Sequence, residues 1–190
     1  MKKMLKGNQR FVLGLKSQAD VCAKRRNDTA SAQHPYAAVV ACSDSRVPVE
    51  YIFDMGIGDL FIIRVAGNVI GVHEAESLKH AVEKLHVPLI LILGHTGCEA
   101  VSAALSVDET ADASPIIKKI LPAADRARAQ NRNKSASEIL HAACIENVYQ
   151  AISDLLKLSP VIKAAAADHA VTVAGALYDI ETGEVAGLDA

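Results

Sequence analysis

The stretch AVVACSDSRVPVEYIF sets a thiol, a carboxylate and a guanidinium two residues apart, at Cys42, Asp44 and Arg46. A second stretch, GHTGC at 94–98, sets His95 three residues before Cys98. An imidazole and a thiol at that spacing, where an apolar run gives way to a helical pattern, can converge on one point. With Cys42 they make a Cys2His set, which suits Zn2+ through soft thiolates, a borderline imidazole and a tetrahedral preference. Three protein ligands leave one coordination position, the pattern of a catalytic rather than a structural zinc site. Two thiolates argue against Mg2+ or Ca2+. Taken singly, each residue has a plainer reading. Cys42 and Cys98 fit small buried hydrophobes, His95 a hydrogen-bonded core histidine, and Asp44 with Arg46 an ordinary ion pair. Joint placement at two strand ends favours the metal.

Those strand ends follow from the hydrophobic pattern. YAAVVAC (36–42), LFIIRVAG (60–67) and LILILG (89–94) are short, nearly continuous apolar runs, as expected of strands buried on both faces. Between and after them, the spacing predicts helices over 2–26, 74–86, 97–105, 115–129 and 136–157, with a loop at 27–35. The chain closes with a strand, a Thr-Gly turn at 182–183 and a short return strand. Alternating strands and helices imply an α/β fold: a central, mainly parallel sheet flanked by helices. In such sheets ligands sit outside the carboxyl ends of the strands, where Cys42, His95 and Cys98 fall. The whole chain, 1–190, reads as one domain, with a helical arm at 1–34 and a zinc-binding core at 35–190.

Composition removes several function classes. A net charge of −2 gives no polyelectrolyte signal for nucleic acid or an anionic membrane surface. Aromatics at 4%, with no Trp, argue against a stacking platform for bases. No apolar segment approaches a membrane span, and the N-terminal residues lack the continuous apolar stretch of a signal peptide. The expected location is the cytoplasm. Four cysteines there point to metal, catalysis or burial rather than to disulfides.

The pairing of CSDSR at 42–46 with GHTGC at 94–98 resembles the signature of the β-class carbonic anhydrases. GNQRF near the N-terminus, VPVEYIFDMGIGDLFIIRVAGN at 47–68 and the terminal VAGALYDIETGEV extend the likeness over most of the chain. The resemblance implies reversible hydration of CO2 to bicarbonate and a proton. It implies Zn2+, one per subunit, on Cys42, His95 and Cys98. It also implies that Arg46 orients Asp44, which in turn orients a zinc-bound hydroxide. Released from Arg46, Asp44 could instead take the fourth metal position in a closed state. Family likeness further implies a homodimer or homotetramer with the active site at the dimer interface and the N-terminal helix packing on the partner subunit. Because two thiolates cancel the charge of Zn2+, hydration is expected to rise into the alkaline range.

Gln33 matches a family glutamine that hydrogen-bonds substrate across the interface, and Phe61 with Ala66 match positions of the apolar substrate pocket. The branch with an inhibitory bicarbonate pocket has a Trp, a Tyr and an Arg; here Val39 and His80 replace the first two and only Arg64 matches. That pocket is therefore expected to be absent and the site open at rest. Two positions depart from the pattern: Glu99 stands where a Gly is usual, and His80 where Tyr is common. Hydrolysis of carbonyl sulfide or carbon disulfide, and a non-catalytic zinc protein, remain the rival readings. Cys22 and Cys144 are expected to be buried or inert.

Overall fold

A computed structural model describes residues 1–15, 20–107 and 113–189. The elements run α1 (Lys2–Val12), α2 (Ala23–Thr29), β1 (Ala37–Ala41), α3 (Val49–Ile52), β2 (Leu60–Arg64), a 3-10 turn (Ala66–Asn68) and α4 (Val72–Glu83). They continue with β3 (Leu89–His95), α5 (Glu99–Leu105), α6 (Pro115–Gln130), α7 (Ala136–Leu158), α8 (Pro160–Ala167), β4 (Thr172–Tyr178) and β5 (Val185–Leu188). The sheet order is β2-β1-β3-β4-β5, parallel except for β5. From β1 the chain moves outward to β2, then returns to lay β3 on the other side of β1. The boundary between β1 and β3 is thus a topological switch point, where a crevice opens at the carboxyl ends.

Strands β1 and β3 are buried along their whole length. Ala37, Val39 and Ala41 face a layer made by Met4 of α1 with Val49, Ile52, Phe53 and Met55. Ala38 and Val40 face Ala75 and Leu78 of α4, Val148 and Leu155 of α7, and Ile162 of α8. A third cluster, from α5, α6 and α7, closes over Cys42 and Cys98.

Two expectations from the sequence are corrected here. The helix over 2–26 is two helices, with residues 16–19 outside the described part. Gly14 at φ +62 ends α1 through bonds from Gly14 N to Phe11 O and Leu15 N to Arg10 O, the pairing of a Schellman cap. The apolar spacing alone carried no sign of that stop. The run at 60–67 is not a strand buried on both faces. It ends at Arg64, and its first four residues are half-buried because β2 is an edge strand with a neighbour on one side only.

The N-terminal helix is bolted to its own chain. Asn8 donates to the carbonyls of Ile52 (3.2 Å) and Gly183 (2.8 Å) and accepts from Val185 N (2.9 Å). Arg10 pairs with the buried Asp54 at 2.5 Å. Gly7 is required by close approach: a Cβ there would lie 1.8 Å from the Phe53 carbonyl oxygen.

Candidate metal centre

Cys42 follows the last residue of β1, and strand alternation turns it to the same face as Ala38 and Val40. His95 is the last residue of β3. Beyond it the chain turns sharply, with Gly97 at φ +64, and Cys98 becomes the N-cap of α5. The turn is anchored by Thr96, whose N–H donates to Tyr178 O (2.9 Å) and whose hydroxyl accepts from Ile180 N (3.1 Å). Adjacency of β1 and β3 then brings the three side chains together. Their ligand atoms lie within 4.8 Å of one another, and all three residues are buried.

The donor set fits a tetrahedral zinc ion. Zn–S bonds of about 2.3 Å at a tetrahedral angle place two sulfurs about 3.8 Å apart; Cys42 Sγ and Cys98 Sγ are separated by 4.0 Å. His95 is fully buried, and its Nδ1 lies 2.9 Å from the Thr96 carbonyl oxygen. A carbonyl only accepts, so Nδ1 carries the proton and Nε2 presents its lone pair. That Nε2 is buried with no hydrogen-bond partner among the described residues. An orphaned acceptor in an apolar site is costly, and a cation in front of it removes the cost.

Hydrogen bonding from Cys98 is the largest cause holding the Cys42 thiol far below its ordinary value, while the same contact and burial push Cys98 up. A divalent metal ion held by Cys42, His95 and Cys98 would favour the thiolate form of both sulfurs.

Backbone around Cys42 is held from three sides. Gly67 N–H donates to Cys42 Sγ (3.3 Å), and Asn147 on α7 holds the Gly67 carbonyl at 2.7 Å. Arg64 donates from Nε to Cys42 O (3.1 Å) and from Nη2 to Asp44 O (2.5 Å). Asp44 faces Arg46 in a two-pronged pair, Nε to Oδ1 at 3.0 Å and Nη2 to Oδ2 at 2.7 Å, with the Arg46 N–H adding 2.9 Å to Oδ1. Those donated bonds hold the Asp44 carboxyl well below the usual carboxylate range.

Other positions singled out by the sequence lie further out. Gln33 is exposed in the loop before β1, and among the described residues no hydrogen bond joins it to the centre. Phe61 on β2 and Ala66 in the 3-10 turn are half-buried, Phe61 beside the Ala38–Val40 layer. His80 is exposed on α4 and Glu99 is exposed at the start of α5. Cys144 is buried in the cluster that includes Cys42 and Cys98, and burial pushes its thiol up to about 11. Cys22 is exposed, capping α2. Gly67 and Asn147 were not foreseen as supports of the centre. Asn147 did leave a signal, being the one amide in the apolar stripe Cys144, Val148, Ala151 and Leu155.

Comparison with known proteins gives a single direction. A family model described as carbonic anhydrase matches residues 37–185. Carbonic anhydrase 2 of Mycobacterium tuberculosis is 32% identical over 188 residues, covering 96% of this chain and 88% of that protein. The carbonic anhydrase of Mycolicibacterium smegmatis is 34% identical over 180 residues, covering 94% and 87%. Among solved structures, the β-carbonic anhydrase CafA of Aspergillus fumigatus superposes with a TM-score of 0.79 at 27% identity, over 88% of this chain and 84% of that one.

Proposed function

The chain belongs to the β-class carbonic anhydrases, and on that premise we propose that it hydrates CO2 reversibly at a centre of Cys42, His95 and Cys98 served by Asp44 and Arg46. The observation that carries this reading is the orphaned Nε2 of His95 facing two sulfurs 4.0 Å apart, with a clamped carboxylate two residues from Cys42. One zinc ion per subunit would supply Lewis acidity there, making an oxygen nucleophile available from water in the alkaline range.

The chain's own residues direct that nucleophile. Arg46 fixes the plane of the Asp44 carboxylate through its rigid fork, so the free lone pairs of Asp44 point in a set direction. Since Asp44 is held well below the usual range, it accepts a hydrogen bond but does not keep a proton. Its role is therefore to turn the attacking oxygen towards CO2, and not to act as the base. Phe61 and Ala66 would offer CO2 a small apolar surface, and the Gln33 amide would donate to its oxygens. The exposure of Gln33 in one chain is consistent with delivery across an interface. A homodimer or homotetramer, with α1 also touching the partner, completes this reading. All four cysteines are free, as befits the cytoplasm, and no helix of the described residues is long and apolar enough to cross a membrane.

Stopped-flow CO2 hydration on zinc-loaded protein tests the proposal. The wild-type chain is expected to hydrate CO2 with a rate rising above neutral pH. Asp44→Ala is expected to bind zinc yet turn over slowly, and Cys98→Ser to lose the metal. Carbonyl sulfide turnover without CO2 hydration, or an undiminished Asp44→Ala enzyme, would overturn it.

A further inference from the structure

Glu99 is the first residue of α5, directly after Cys98, and its side chain is exposed. Among the described residues it forms no ion pair. Its charge acts on the Arg46 guanidinium, whose own fork is engaged by Asp44. Two thiolates would balance a divalent metal ion, and Asp44 balances Arg46. Arg64 adds a further positive charge, its guanidinium bonded to the neutral carbonyls of Cys42 and Asp44. Among these groups Glu99 offsets the charge of Arg64, and its loss leaves the set one unit more positive. Resting on the reading of the centre given above, we propose that Glu99 is a specificity-determining residue that favours neutral CO2 over anions, weakening the hold of the site on bicarbonate and on inhibitory monovalent anions.

The size of the effect follows from Coulomb's law. A side chain one residue from a metal ligand and turned towards it places its charge roughly 6–8 Å from an anion at the centre, and Glu99 and Arg46 are themselves exposed to solvent. At an effective dielectric of about 40–80 a unit charge there changes anion affinity by about two- to tenfold. Added salt screens the interaction, because the Debye length falls towards a few ångströms at molar ionic strength. Faster release of bicarbonate is the functional consequence.

Thiocyanate is a suitable probe, and cobalt-substituted protein reports its binding by visible absorption without any turnover. Glu99→Gln is expected to bind thiocyanate about two- to tenfold more tightly than wild type, Glu99→Lys more tightly still, and Glu99→Asp close to wild type. The differences should shrink in about 0.5 M sodium sulfate. The bicarbonate KM of the zinc enzyme should fall in the same order. An unchanged thiocyanate affinity in Glu99→Gln and Glu99→Lys overturns the proposal, as does a change that persists at high salt, which would mark a steric effect. CO2 hydration is followed on matched zinc-loaded samples. Its absence in wild type would remove the functional reading and leave the thiocyanate comparison to decide Glu99 alone.

Discussion

Replacing Gly67 with Ala tests whether the turn over the centre is as tightly specified as its geometry implies. Gly67 has φ +67, a conformation that costs an L-residue about 1–2 kcal/mol. A Cβ there would meet Ile120 Cδ1 at 2.7 Å and Ala100 Cβ at 3.3 Å. The Ile120 methyl is the flexible end of a side chain, so relieving that overlap adds about 1 kcal/mol rather than the larger figure of a backbone clash. The sum, about 2–3 kcal/mol, corresponds to a fall in Tm of roughly 5–10 °C for a chain of this size. Ile120→Val removes the offending methyl at its own cost of about 1 kcal/mol. The double variant should therefore be more stable than additivity allows, by about 1 kcal/mol. Displacing the turn also moves the N–H that Gly67 gives to Cys42 Sγ, so zinc affinity should fall by about tenfold or more in Gly67→Ala. Urea unfolding gives the stabilities, and competition with a chelator gives the affinity. Strict additivity in the double variant, or a Gly67→Ala protein that binds zinc as tightly as wild type, would refute the reasoning.

Arg46→Lys keeps the charge but not the fork, so its CO2 hydration should lie between wild type and Arg46→Ala; equal rates in all three would remove the orienting role of Arg46. Because the Arg46 side chain is half exposed, neither change should move Tm by more than about 2 °C in thermal melts. Asn8→Ala removes the bonds to two buried carbonyls and one part-buried N–H, and should lower stability by about 2–3 kcal/mol in urea unfolding without altering zinc stoichiometry. The Asp44 carboxyl is depressed below its ordinary value of 3.8, chiefly by hydrogen bonds from Arg46. Its stabilising contribution is therefore complete above that value and lost as pH falls through the lower folded one. The stability gap between wild type and Arg46→Ala should be constant from neutral pH down to about pH 5 and close in more acid solution.

How much of this could be read from the sequence depends on the range of the interaction concerned. Continuous apolar runs at 36–42 and 89–94 announced strands covered on both faces, because burial on two sides removes the polar alternation. The run at 60–67 looks the same, yet its strand, 60–64, forms an edge. Composition records how apolar a strand is and not how many neighbours it has. The break after Val12 rests on one glycine in a left-handed conformation, a local feature masked by the lysines and leucines around it. Asn147 stands out as an amide in an apolar stripe, but its pairing with Gly67 lay beyond reach for another reason. Their bond spans 80 residues, and only the packing of α7 against the 3-10 turn creates it.

The order of the strands explains why a metal site can be assembled here from so few residues. β1 and β3 run parallel and adjacent, in a register that pairs Ala41 with Leu93. Cys42 therefore lies one residue past this pair, and His95 two. Neighbouring strands stand about 4.8 Å apart, close to the reach of two ligands on one ion. The chain needs only a single turn, at Thr96 and Gly97, to return Cys98 to the same point. What remains is to stop the ends from splaying. Arg64, Gly67 and Asn147 do that by holding backbone carbonyls or donating N–H, and none of them supplies a ligand atom to the Cys2His set. A variant that loosens one of these supports should therefore weaken zinc before it unfolds the sheet. Loss of metal that always coincided with global unfolding would show that the centre and the sheet are one cooperative unit instead.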